Sequence, residues 1–206
     1  MGIGALKKIA RRFAGLLPVV VDCETGGVCA EEDALLELAA CVIVYDQRKL
    51  VPLATKHYHV EPFHGAHISQ ESLDVTQIRP DHPFRFAVTE KSMLLDLNDY
   101  LQKLCKKYHC RRAVLVGHNA TFDLNFLQAA YKRVGMMDQS VFHRFVTFDT
   151  ATITGCWVKE TVLAKAMMRY KMPFDVEEAH SALYDCEKTA DLFCSILNEI
   201  DTLKGF

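Results

Sequence analysis

The stretch Pro18-Val19-Val20-Val21-Asp22-Cys23-Glu24-Thr25-Gly26-Gly27 decides how this chain is read. Its apolar half has the character of a buried strand, and Thr25-Gly26-Gly27 has the composition of the turn that ends it. Side chains alternate along a strand, so Asp22 and Glu24 point to one side and Cys23 to the other. Two acids at the carboxyl end of a strand stand where open α/β sheets gather their ligand sites. An isolated Asp-x-Glu is more often a solvated loop pair, so its weight depends on acids elsewhere in the chain.

Ala113-Val114-Leu115-Val116 is a second apolar run, ended by Gly117-His118-Asn119. Leu124, Leu127, Ala130, Tyr131 and Val134 then recur at helical spacing, which places Asp123 in the first turn of a helix. An acid there is often a plain dipole or capping residue. His118 reads as a turn residue outside the reactive set. Further on, His180 precedes a helix that Ser181 caps, with Leu183, Cys186, Ala190, Phe193 and Leu197 as its apolar stripe and Asp185 beside it.

Each fragment alone is ordinary. Jointly, Asp22, Glu24, Asp123, Asp185 and His180 fit phosphodiester hydrolysis with two divalent metals. Hard cations such as Mg²⁺ prefer carboxylate oxygens, and two of them roughly 3.5–4 Å apart stabilise both oxygens of an in-line displacement. Crowded carboxylates repel without such cations, and a nearby histidine supplies a base near neutral pH.

These motifs resemble those of the DEDDh exonucleases, a branch of the ribonuclease H-like superfamily. That branch carries Asp-x-Glu, Asn-x-x-Phe-Asp and His-x4-Asp, which stand here as Asp22 to Glu24, Asn119 to Asp123 and His180 to Asp185. Within the branch the chain is similar to the ribonuclease T family, through DALLELAA (33–40), HVEPF (59–63), FDTA (148–151) and AHSALYD (179–185). The resemblance covers roughly residues 10–200.

The resemblance implies a ribonuclease H-like α/β fold, a mixed sheet flanked by helices. It implies metal binding by Asp22, Glu24, Asp123 and Asp185, with two Mg²⁺ ions or, through the same donors, Mn²⁺. His180 would be the general base. The implied reaction runs 3′ to 5′ on single-stranded ends of transfer RNA and other small stable RNAs, releasing nucleoside 5′-monophosphates; single-stranded DNA ends stay open as a further substrate. Phe122, Phe145 and Glu71 match positions that hold terminal bases. Arg12, Lys106 and Arg112 match a basic patch that faces the other subunit's site in a homodimer. Four positions depart from the pattern: Val28 and Val75 replace aromatic rings, and Ala14 and Asp138 replace basic residues. Two other readings share the fold, a proofreading DNA exonuclease and a catalytically silent nucleic-acid binder. The full-length match speaks against the first and the complete reactive set against the second.

Length and composition agree with one enzyme domain, which the resemblance makes a single exonuclease domain over 1–206. Half of the 206 residues are apolar, and the net charge is −2. That balance hides two basic groups, Lys7, Lys8, Arg11 and Arg12 on a helix spanning 1–17, and Lys103, Lys106, Lys107, Arg111 and Arg112. No run reaches the roughly 18 apolar residues of a membrane span, and the start lacks the Ser or Thr of a myristoylation signal. The eight cysteines lack metal-ligand pairing and read as reduced thiols of a cytoplasmic protein. The remaining pattern predicts strands at 35–45 and 55–60 forming a meander, a loop over 61–89, and a helix at 90–108. A short strand at 145–148 and a helix at 159–170 complete it.

Overall fold

The computed structural model describes residues 3–204, with side chains described from Lys8 onward. The strand that carries Asp22 and Glu24 is β1 (Leu16–Thr25), whose Leu17, Val19, Val20 and Val21 are buried. It lies at the centre of a six-stranded mixed sheet ordered β3-β2-β1-β5-β6, with β2 (Leu35–Asp46), β3 (Lys49–Pro52), β5 (Arg112–Gly117) and β6 (Phe142–Asp149). β1 pairs antiparallel with β2 and parallel with β5, and β6 continues the parallel side.

Twelve-residue β2 is longer than any partner on its outer edge. That edge is filled end to end by β3 and by β4 (Lys56–His59), both antiparallel to it. The expected meander is therefore interrupted by a hairpin that the sequence pattern omits. Its turn places Gln47 and Arg48 at φ 43° and 71° without the Asn-Gly or Asp-Gly that advertises such turns.

Four helices differ from expectation. α1 (Ile3–Arg12) stops short of residue 17, because Ala14 and Gly15 turn left-handed and Leu16 already belongs to β1. α2 (Gln70–Thr76) lies inside the expected loop, capped by Ser69, and buries none of its residues, so it has no stripe to read. The expected helix at 159–170 is shorter, α6 (Leu163–Arg169), because Lys159 is left-handed at φ 61°. Before it comes α5 (Thr150–Trp157), rich in β-branched residues and started by the Asp149 carboxylate.

The long helices match their patterns: α3 (Glu90–Lys107), α4 (Thr121–Arg133) and α7 (Ala182–Lys204). α7 packs over β1, β2 and β3, while α3 and α4 pack against each other and β5. The main core runs from Ile9 and Phe13 through the sheet to Phe126, Tyr131 and Phe193. All eight cysteines are free, and no described helix is long and apolar enough to cross a membrane.

Candidate active site

The acids of β1 meet acids from two helices at the carboxyl end of that strand. Asp22, Glu24 and Asp185 each bring a carboxylate oxygen within 4.8 Å of the others. Asp123 is buried beside them and accepts the Cys23 N–H at 3.0 Å, a bond that fixes the first turn of α4 to β1. Gly117 makes this approach feasible. A Cβ there would stand 2.9 Å from Ala120 Cα and 3.1 Å from Asp123 Oδ2. Asp185 is set by α7, whose buried Cys186 donates its Sγ–H to the Val20 carbonyl at 3.4 Å.

The electrostatics are those of anions crowded in a dry corner. Burial, then Asp123, Glu24 and Asp185, holds the Asp22 carboxyl well above the usual range. Burial pushes Glu24 up to about 8, with Asp185, Glu37 and Asp123 adding to it. Asp123 also rises to about 8 through burial, despite the hydrogen bonds that favour its anion. Asp185 is raised by burial, against the pull of the His180 N–H. Its Oδ1 is buried with no hydrogen-bond partner. Crowding, raised proton affinity and an orphaned carboxylate oxygen are the donor chemistry that a hard divalent cation fits.

His180 stands exposed in a turn just before α7, with its backbone left-handed at φ 67°. Its N–H donates to Asp185 Oδ2 at 3.0 Å, so the residue is tied to the acids through the backbone while its ring is exposed and has no described hydrogen bond. Ser181 lies where expected, and its carbonyl accepts the Asp185 N–H at 2.9 Å. His118 is held instead as a strut, its ring bonded to Thr150 Oγ1 and to the Thr161 carbonyl.

The residues expected to touch nucleic acid are more scattered. Phe122 is half-buried, its ring 4.9 Å from Phe126, next to Asp123 in the chain. Glu71 is exposed in the first turn of α2, and Val28 and Val75 are exposed too. Phe145 is 86 % exposed because β6 bulges: a step from Ala113 to Leu115 on β5 is matched by Phe142 to Thr147. The His143 ring accepts the Phe145 and Val146 N–H groups and so closes the bulge. No described hydrogen bond joins Phe145 or Glu71 to the acids. Arg12 is engaged by Asp201 at 3.0 Å, whereas Lys106 and Arg112 are exposed. Lys7 falls outside the described side chains, and Asp138 pairs with Arg144 at 3.2 Å.

Two supporting groups lie outside the motifs. Glu24, Glu37 and His59 form a row across β1, β2 and β4. Glu37 accepts from His57 at 3.2 Å and His59 at 2.8 Å; burial raises its carboxyl, but these bonds win and lower it. Asp149 binds the N–H groups of Ala120 and Thr152, joining the start of α4 to that of α5. Glu37, His59 and Asp149 lie in DALLELAA, HVEPF and FDTA respectively, which is the signal that marks them.

Comparison with known proteins bears on this geometry. A family model described as an exonuclease, RNase_T, matches residues 19–193. The chain is 46 % identical over 199 residues to ribonuclease T of Actinobacillus pleuropneumoniae serotype 5b (strain L20), covering 96 % of this chain and 91 % of that enzyme. Among solved structures it is similar to E. coli Exonuclease I in complex with a dT13 oligonucleotide, with TM-score 0.70 and 14 % identity. That match covers 92 % of this chain but 43 % of Exonuclease I, so the chain spans less than half of it. A 3′-exonuclease described in 3′-end-specific recognition of histone mRNA stem-loop gives TM-score 0.66 at 16 % identity, covering 89 % of this chain and 64 % of that one. At those identities the structural likeness is one of fold.

Proposed function

We propose, for a chain that belongs to the exonuclease family and is a 3′–5′ exoribonuclease, that it trims unpaired 3′ ends of transfer RNA and other small stable RNAs. The observation that carries the chemistry is the cluster of Asp22, Glu24 and Asp185 oxygens within 4.8 Å, with buried Asp123 behind them. These four acids would hold two Mg²⁺ ions, or Mn²⁺ through the same oxygen donors. When bound, the ions supply positive charge that stabilises the phosphate oxygens of the displacement.

The remaining steps belong to the chain's own groups. His180 takes a proton from the attacking water, whose oxygen bonds to the phosphorus of the last phosphodiester. The bond from phosphorus to the 3′ oxygen of the penultimate nucleotide breaks, leaving a nucleoside 5′-monophosphate and a shortened 3′ end. His180 sits on an exposed turn rather than in the core, so its ring can enter once the substrate has assembled the site. Phe122, Phe145 and Glu71 are assigned to the terminal bases. The eight free thiols accord with a reducing compartment, the cytoplasm.

The basic patch supports a homodimer. Leu16 pairs with Arg112 across β1 and β5, and Asp22 lies six residues further along β1, roughly 20 Å away at strand spacing. Arg112 and the end of α1 therefore sit at the opposite end of the sheet from the acids. A patch so placed serves a second copy's substrate more readily than its own.

The test is digestion of a transfer RNA bearing a 3′ tail, with metal and with chelator. Metal-dependent loss of tail nucleotides as 5′-monophosphates is expected. An intact tail in Mg²⁺ and in Mn²⁺, or equal digestion in chelator, overturns the proposal.

A further inference from the structure

Beyond α2 a cleft of about 460 Å³ opens beside His180, and its wall carries Arg79, His82, Phe84 and Arg85. Phe84 and its neighbour Phe86 are placed where the fold gains nothing from them. Phe84 is 74 % and Phe86 81 % exposed, although a phenylalanine ring is among the most favourable side chains to bury. Phe86 also has its backbone left-handed at φ 49°, an unfavourable conformation for a bulky side chain. Single exposed apolar residues are ordinary; a paired set is less so. The Phe84 and Phe86 ring centroids lie 6.4 Å apart, and the His82 ring lies 5.8 Å from Phe84.

The segment that presents these rings is anchored. Arg85 is buried, and its terminal nitrogens donate to the Val60 carbonyl (3.0 Å) and the Leu36 carbonyl. Its Nε is buried with no partner, and Glu37, which lines the same cleft, favours its charged form against burial. Val88 bridges to Val60 on the far side. Exposed Arg79 adds a second cation. Flat rings interleaved with cations along a groove are the surface that grips single-stranded nucleic acid, with bases on the rings and phosphates on the cations.

We propose that Phe84 and Phe86 form a base-stacking subsite for the unpaired 3′ tail of the RNA substrate, with Arg79 meeting its backbone phosphate. This rests on the exoribonuclease reading and deepens it. The occupant is an RNA base because the cleft is continuous with His180 and carries positive charge. The subsite also supplies aromatic surface that Val28 and Val75 do not.

The test is equilibrium binding of a fluorescent single-stranded oligoribonucleotide to the full-length chain in Ca²⁺, beside kcat and KM for the same oligomer in Mg²⁺. Phe84→Leu and Phe86→Leu keep apolar bulk but remove the flat face, whereas Phe84→Trp keeps it. Each leucine variant is expected to weaken binding by about fivefold or more, with KM rising and kcat nearly held, while the tryptophan variant binds like the wild type. Equal RNA affinity in all variants overturns the subsite. So does unchanged RNA affinity with an altered sedimentation coefficient, which makes the rings a face between copies of this chain. Wild-type protein that neither binds nor cuts the oligomer instead overturns the exoribonuclease reading, and the subsite with it.

Discussion

His180 shows how much a single residue's place can say. It is exposed, left-handed at φ 67°, and bonded through its N–H to an acid of the cluster, so the backbone stores strain while the ring stays open to solvent. In the proposed role, a proton acceptor that adds to, but does not build, the site should be separable from it. His180→Ala is expected to leave folding and metal binding nearly intact and to lower kcat by about 10²–10⁴-fold. Isothermal titration with Mn²⁺ beside single-turnover kinetics reads both; turnover within a few fold of wild type would remove the base role. This residue, with Asp22, Glu24, Asp123 and Asp185, is legible in sequence because each stands at an element boundary beside a strong local pattern. Glu37, His57 and His59 are not legible as a unit. Their connection is a register between β2 and β4, which only pairing creates.

At the scale of elements, the site depends on corners where strands hand over to helices. The corner from β5 to α4 is crowded, since Gly117, Ala120 and Asp123 meet there and Thr150 Oγ1 donates to the Gly117 carbonyl at 3.1 Å. Gly117→Ala forces a methyl group against Ala120 and the Asp123 carboxylate. The expected result is a loss of about 1–3 kcal/mol of stability, as for other overpacked sites, with metal affinity falling more than in an Ala substitution at exposed Thr121. Denaturant melts and metal titrations of the pair measure this, and a Gly117→Ala protein with wild-type metal affinity would argue that the corner has slack. Elements with a buried stripe, such as α3 and α7, follow their periodicity. The short pieces β3, α2 and α5 bury little or are set by a cap or a turn, so nothing repeats along them for a sequence pattern to catch.

At the scale of the whole molecule, four acids are held together against their own repulsion. Glu24 and Asp123 titrate at about 8 in the metal-free chain, against about 4 when unfolded, with Asp22 and Asp185 raised in the same direction. A carboxyl raised on folding binds its proton more tightly in the native state. Its contribution to stability is therefore full below pH about 4 and is lost as pH rises through about 8. In chelator, this cluster should make the chain progressively less stable from pH 5 to 8. Added Mg²⁺ or Mn²⁺ should raise Tm by more at pH 8 than at pH 6, because cations and protons compete for the same oxygens. A metal-induced shift independent of pH would show that these acids are not the ligands. The sequence by itself determined the candidate acids and histidine, their order and the buried strands and long helices, because local periodicity and motif spacing encode them. Only tertiary structure decided that Asp22, Glu24 and Asp185 share one corner, that Arg112 lies at the other end of the sheet, and that Phe84, with Phe86 beside it, lines the cleft next to His180. Such placements arise from strand order and helix docking, which bring together residues that no local pattern connects.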